Sequence, residues 1–187
     1  MSVIGINEVV LRIKNESLIT GLGGRDLSNP EGTGIDLRLG AVHKISKGGA
    51  YIEADGEAGL GRRHGVETKE LYKLKEGDTQ DELTIKPGEY YLIQTAEAIN
   101  TPLDLMPMVY PRSSLFRAGL LLLATKTDPG YKGPLTFGLT NLSQFPVKIQ
   151  LGARICNIVF HKIEGETIAY RGQHQGGRVS HGEERQV

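Results

Sequence analysis

The sequence predicts a mostly β fold, an antiparallel sandwich or barrel-like body, on three observations. Short runs of β-branched and apolar residues recur at close intervals from Glu82 onward. Turn residues separate the runs, and a composition of 25 glycines and 8 prolines with no tryptophan suits a chain of many strands and bends. The length, 187 residues, fits one domain carrying an elaborate insertion and is enough to bury a core.

The elements follow in order. GINEVVLRIK (5–14) spaces Ile6, Val9, Val10 and Ile13 at near-helical intervals, which predicts a short amphipathic N-terminal helix. GTGIDLRLG (32–40) alternates Ile35, Leu37 and Leu39 with Asp36 and Arg38, the period of a half-buried strand. The segment from about 47 to 80 is rich in glycine and charge and reads as an irregular insertion, with a hairpin near Ala50–Ala54. Strand signals then come as LTIKPGEYYLIQT, MPMVYP, GLLLLAT, GPLTFGLTN, FPVKIQL and GARICNIVF. The stretch from about 168 to 187 is too polar and glycine-rich to make core and reads as a C-terminal arm.

Composition narrows the function. Twenty-two basic residues balance 22 acidic ones, so nothing pulls the whole chain toward nucleic acid or an anionic membrane, and an anionic ligand must meet a local cluster. No window approaches the roughly 20 apolar residues of a membrane span, and the first residues lack the long apolar core of an export signal. One cysteine, Cys156, excludes an internal disulfide and points to a reducing, cytoplasmic setting. The five histidines (His43, His64, His161, His174, His181) fall in no zinc-ligand spacing, and Cys156, in an apolar alternating run, reads as a small core residue.

Three stretches carry candidate chemistry. PRSSLFRAG (111–119) sets two hydroxyls between two arginines, which suits an oxyanion such as phosphate and equally a solvated turn. Asp36, on a strand otherwise facing the core, requires a cationic partner whether it is structural or part of a site. DPGYKG (128–133) fixes Asp128 before a Pro-Gly turn, where it is either a plain turn residue or an ionised carboxylate able to act as a base. Gly138 interrupts the next strand, giving up packing and backbone entropy, so something needs its room.

Taken together, GIDLRLG, IKPGEYYLIQT, PRSSLFRAG, TDPGYKGPLTFGLTN, GARICNIVF and YRGQHQGG resemble, in order and over nearly the whole chain, the dUTPase and dCTP deaminase superfamily. The resemblance implies a distorted jelly-roll-like β-barrel of the dUTPase type. It also implies a homotrimer with active sites between subunits, and a deoxynucleoside triphosphate held with Mg²⁺, chiefly through phosphates and water rather than dedicated protein ligands. Carried over by position, Arg112, Ser113, Ser114 and Arg117 bind phosphates, and Arg171, Gln173 and Gln175 close over them from the arm. Tyr131 packs on the deoxyribose, and Asp128 touches the 3′-hydroxyl and orients an attacking water. In the deaminase branch a strand glutamate that moves protons aligns with Gly138, which carries none. The expectation is therefore a Mg²⁺-dependent diphosphatase converting dUTP to dUMP and pyrophosphate, with Asp128 catalytic and Gly138 lining the nucleoside pocket. The alternatives are a dCTP deaminase with a modified site, and a non-catalytic nucleotide-binding regulator.

Overall fold

The computed structural model describes residues 2–54, 62–75, 81–180 and 184–185; His181, the side chain of His64 and the remainder of the insertion and arm lie outside them. Helix α1 (Ile6–Glu16) buries Val9 and Ile13, two of the four apolar positions of its stripe. Arg12, on its flank, forks onto the Asp104 carboxylate at 3.0 and 2.6 Å and fastens the helix to the chain entering a strand. Ser17, in the left-handed region at φ 54°, ends the helix.

After α1 come β1 (Ile19–Thr20), a short α2 (Gly24–Ser28) and the long β2 (Gly34–Lys47). The insertion contributes β3 (Tyr51–Ile52), β4 (Arg62–His64) and β5 (Glu67–Lys73). Then follow β6 (Glu82–Ile85), β7 (Tyr90–Asn100), β8 (Leu105–Pro111), α3 (Ser113–Arg117) and β9 (Leu120–Leu123). The remaining strands are β10 (Lys132–Asn141), β11 (Val147–Gln150), β12 (Arg154–Lys162) and β13 (Glu184–Arg185).

The main sheet runs β8-β12-β2-β7-β10-β9, with β1 added to β7 and β5 to β2, each pair antiparallel. Its two ends nearly meet. Lys126, just beyond β9, bridges Met108 of β8, and the Thr127 N–H donates to the Pro107 carbonyl at 2.9 Å. The barrel-like, mostly β body expected from the sequence is thus present. Its interior is filled from alternate positions: Leu37 and Leu39 from β2, Ile93 from β7, Leu139 from β10, and Ile158 and Phe160 from β12, all fully buried. Each such side chain contributes about 1.5–3 kcal/mol on leaving water.

Three local readings differ from the sequence expectation. LTIKPGEYYLIQT is two strands, because Pro87-Gly88 forms a turn in which Glu89 accepts the Lys86 N–H at 2.8 Å. Part of the expected irregular insertion is ordered: β5 pairs along β2, although ETKELYK has no buried side chain and so gives no period-2 signal. PRSSLFRAG contains a helical turn, α3, anchored by buried Leu115.

Candidate active site

The DPGY segment is a type II turn in outline. Pro129 and Gly130 are its central residues, Gly130 has φ +81°, and the Tyr131 N–H returns to the Asp128 carbonyl at 3.2 Å. Two further bonds lock the turn to the end of β7: Gly130 N–H to the Thr101 carbonyl and Thr101 N–H to the Tyr131 carbonyl, both 2.9 Å. The turn directs two side chains differently. Asp128 remains 44% exposed and pairs with Lys126. Tyr131 is buried, its hydroxyl donating to the Pro134 carbonyl at 2.6 Å, and burial pushes its phenol up to about 12. Tyr131 is therefore a rigid wall and Asp128 the accessible charge.

The arm lies across this turn. The Tyr170 N–H donates to the Pro129 carbonyl at 2.7 Å, and its ring meets Tyr131 edge-on at 5.6 Å. Gln175 grips backbone at both ends of its amide: Oε1 accepts from Lys132 N–H at 2.9 Å, and Nε2 donates to the Gly130 carbonyl at 3.0 Å. Gln94 of β7 donates to the Gly177 carbonyl at 2.6 Å. Between turn, arm and sheet is a pocket of about 400 Å³, with Lys126, Asp128, Tyr131, Thr136, Tyr170 and His174 among its lining.

The arginine motif is elsewhere. Arg112 stands at the start of α3 and pairs with Asp36, which also takes Arg154 at 3.2 Å and the Asn157 amide at 3.0 Å. The partner that Asp36 requires is thus two arginines. These groups line a second pocket of about 220 Å³ that shares no residue with the Asp128 pocket. Ser113, Ser114 and Arg117 are exposed along α3, with the Arg117 guanidinium 6.0 Å from the Phe116 ring centre. Arg171 is exposed on the arm and Gln173 is half-buried. One chain therefore brings Asp128, Tyr131 and Gln175 together and leaves Arg112, Ser113, Ser114 and Arg117 apart from them.

A larger depression, about 870 Å³, lies beside Gly40 and Ala96, and none of the residues selected from sequence lines it. Its Arg38 is spent on the fully buried Glu97 at 2.6 Å and on the Gly21 carbonyl at 2.6 Å. The Asp128 pocket is the one that gathers Asp128, Tyr131 and the arm.

Gly138 is buried in β10, opposite Leu92 of β7 and Leu123 of β9. What fills its room is the Tyr90 phenol: a Cβ placed on Gly138 would fall 2.5 Å from the Tyr90 hydroxyl and 3.0 Å from the ring. Sequence reading passed over Tyr90, Lys126, Tyr170 and Arg154. Lys126 had a local signal, two residues before Asp128. The others act through strand register or the path of the arm, which no local spacing encodes.

A family model described as dCTP deaminase-like matches residues 10–163. Among curated relatives, a dCTP deaminase, dUMP-forming, from Dictyoglomus thermophilum is 36% identical over 143 residues, covering 73% of this chain and 69% of its own. A dCTP deaminase from Pyrococcus furiosus is 39% identical over 120 residues, 64% of this chain and 77% of its own. The crystal structure of 2′-deoxycytidine 5′-triphosphate deaminase from Agrobacterium tumefaciens shares the fold at a TM-score of 0.61 and 18% identity; the likeness covers 87% of this chain and 48% of that longer one. These names overturn the expectation of a dUTP diphosphatase as the main activity. That expectation weighed Gly138 as an empty position, whereas in the folded chain a phenol from the neighbouring strand occupies it.

Proposed function

This chain belongs to the dCTP deaminase-like family, and on that premise we propose that it binds dCTP and deaminates its base, with the nucleoside in the Asp128 pocket. The observation that carries the reading is the meeting of the Asp128–Tyr131 turn and the Tyr170 arm around one nucleoside-sized pocket. The buried Tyr131 ring offers a flat apolar wall to a deoxyribose, and a wall pinned at its hydroxyl cannot retreat to admit a ribose 2′-hydroxyl. Asp128 is the acceptor for the 3′-hydroxyl. Deamination adds water to the ring carbon that bears the amino group, and ammonia leaves with the proton that water gives up.

The triphosphate goes to Arg112, Ser113, Ser114 and Arg117, with Arg171 and Gln173 closing from the arm. Because the two pockets share no lining residue, this reading places the phosphates and the nucleoside on different subunits of a homotrimer. Among the described residues no three His, Cys, Asp or Glu side chains converge on a point. Asp128 is the carboxylate on the pocket wall, and a Mg²⁺ arriving with the nucleotide would be held chiefly by the phosphates and water and would neutralise their charge. Gln175, engaged with the turn, seats the arm. No described helix is long and apolar enough to cross a membrane, and a buried lone thiol supports a cytoplasmic setting.

Gly138 favours one other reading, a nucleotide-binding protein without turnover, since no ionisable side chain stands at that strand position. Incubation with dCTP and Mg²⁺, resolving ammonia, dUTP and dUMP, separates the two. Ammonia release, lowered at least tenfold in D128N, supports deamination. Tight dCTP binding without ammonia supports the binding protein, and neither binding nor turnover of dCTP ends both readings.

A further inference from the structure

We infer that the Tyr90 hydroxyl is a base-contacting group of this site, one that positions a pyrimidine by its 4-edge; the inference rests on the Asp128 pocket being the nucleoside site. Alternation along β10 puts Thr136 and Gly138 on one face, and alternation along β7 does the same for Tyr90 and Leu92. Leu92 and Thr136 both line the pocket. The Tyr90 ring lies against Gly138, which stands directly opposite the lining residue Leu92 and next to the lining residue Phe137, so the phenol is one register position behind the pocket wall and a ring rotation from its interior. Gly138 is what permits this placement, since any side chain there would push the phenol away.

The nearest amide of that face, Gln94, is engaged. Gln94 Nε2 donates to Thr136 Oγ1 at 3.2 Å and to the Gly177 carbonyl, and Gln94 Oε1 lies 3.3 Å from His43 Nε2. The Tyr90 hydroxyl has no hydrogen-bond partner among the described residues, and Tyr90 is 39% exposed. A phenolic hydroxyl both donates and accepts. It can accept from the exocyclic amine of cytosine or donate to the adjacent ring nitrogen. To the carbonyl that replaces the amine in uracil and thymine the same hydroxyl can donate instead, so it can meet either base edge.

The test is equilibrium binding of dCTP, dUTP and inorganic tripolyphosphate to the full chain, with chromatography recording any turnover. Y90F keeps the ring and removes one oxygen. It is expected to weaken dCTP binding about tenfold, the loss of one hydrogen bond, and to leave tripolyphosphate binding unchanged. Binding of dUTP should weaken with it, since the same hydroxyl can meet either base edge. G138A, whose methyl displaces the phenol, is expected to give the same selective loss and serves if Y90F folds poorly. Unchanged dCTP affinity in both variants overturns the inference, as does a parallel fall for dCTP and tripolyphosphate, the mark of a structural role. Selective loss without ammonia release in the wild type leaves the role of Tyr90 standing and removes deamination. A wild type that binds dCTP no better than tripolyphosphate removes the nucleoside pocket and this inference together.

Discussion

The Asp36 carboxylate holds the Arg112 guanidinium across the joint between β2 and the start of α3, and the same carboxylate takes Arg154 from β12. Asp36 is only 15% exposed, so removing its charge leaves two cations facing each other with little water to screen them. D36N is expected to lower stability by about 1–3 kcal/mol, read from the urea midpoint at constant m-value. R154A, at a residue 37% exposed, is expected to cost under about 1 kcal/mol. Equal losses in the two variants would mean that the carboxylate is not the hub.

Which parts of this arrangement could be read from sequence follows from the range of the forces involved. Alternation in GIDLRLG and GARICNIVF reports a core face directly, because strand period and burial are local properties, and Leu37, Leu39, Ile158 and Phe160 are indeed buried. Asp36 was legible as a carboxylate in need of a cation, though not which one. β5 was not legible, because none of its side chains is fully buried and its pairing with β2 is carried mainly by backbone hydrogen bonds, with partly buried Tyr72 the one apolar contact to the core. The pairing of Tyr90 with Gly138 was hidden for a different reason. Forty-eight positions separate the two residues, and antiparallel register, set by the whole β7-β10 ladder, brings them together.

That register makes Gly138 testable as a packing position. The atoms a methyl would meet belong to the far end of an exposed-edge tyrosine, so the ring can swing aside without moving the strand. G138A is therefore expected to cost less than about 1.5 kcal/mol while shifting the Tyr90 ring resonances in an NMR spectrum. In a Y90L background the same substitution should be cheaper still. A G138A cost that is unchanged by Y90L would show that the glycine answers to the backbone and not to the phenol.

Cys156 is fully buried, and burial pushes its thiol up to about 12, with the nearby Glu97 charge adding to the rise. A neutral, enclosed thiol is a poor nucleophile. In native buffer near pH 8 the protein is expected to resist a disulfide reagent for as long as it stays folded, and to react at once in guanidinium. Rapid stoichiometric labelling of the native chain would contradict the burial. Cys156→Ser is expected to destabilise by about 1–3 kcal/mol, since it moves a more polar hydroxyl into the fully buried core.

The α1 attachment gives the protein a pH dependence of known sign. Hydrogen bonding from Arg12 holds the Asp104 carboxyl below the ordinary carboxylate range, and Arg12 is itself raised by the same contact and stays charged. A carboxyl depressed in the folded state stabilises the fold above its unfolded value of about 3.9, and that contribution is lost as pH falls through the folded value. With Asp104 43% exposed, solvent screening limits the gain to about 1 kcal/mol despite the two-pronged geometry. Urea midpoints measured at pH 7 and near pH 3 should therefore differ less in D104N than in the wild type, the two proteins converging at the acidic end. Arg12 also pairs with Glu8 and Glu16 within the helix, so R12A is expected to cost somewhat more than D104N at pH 7 and to free α1 for faster amide exchange at Val9 and Ile13. An R12A protein whose helix exchanges no faster than the wild type would place the anchoring of α1 wholly in those two apolar side chains.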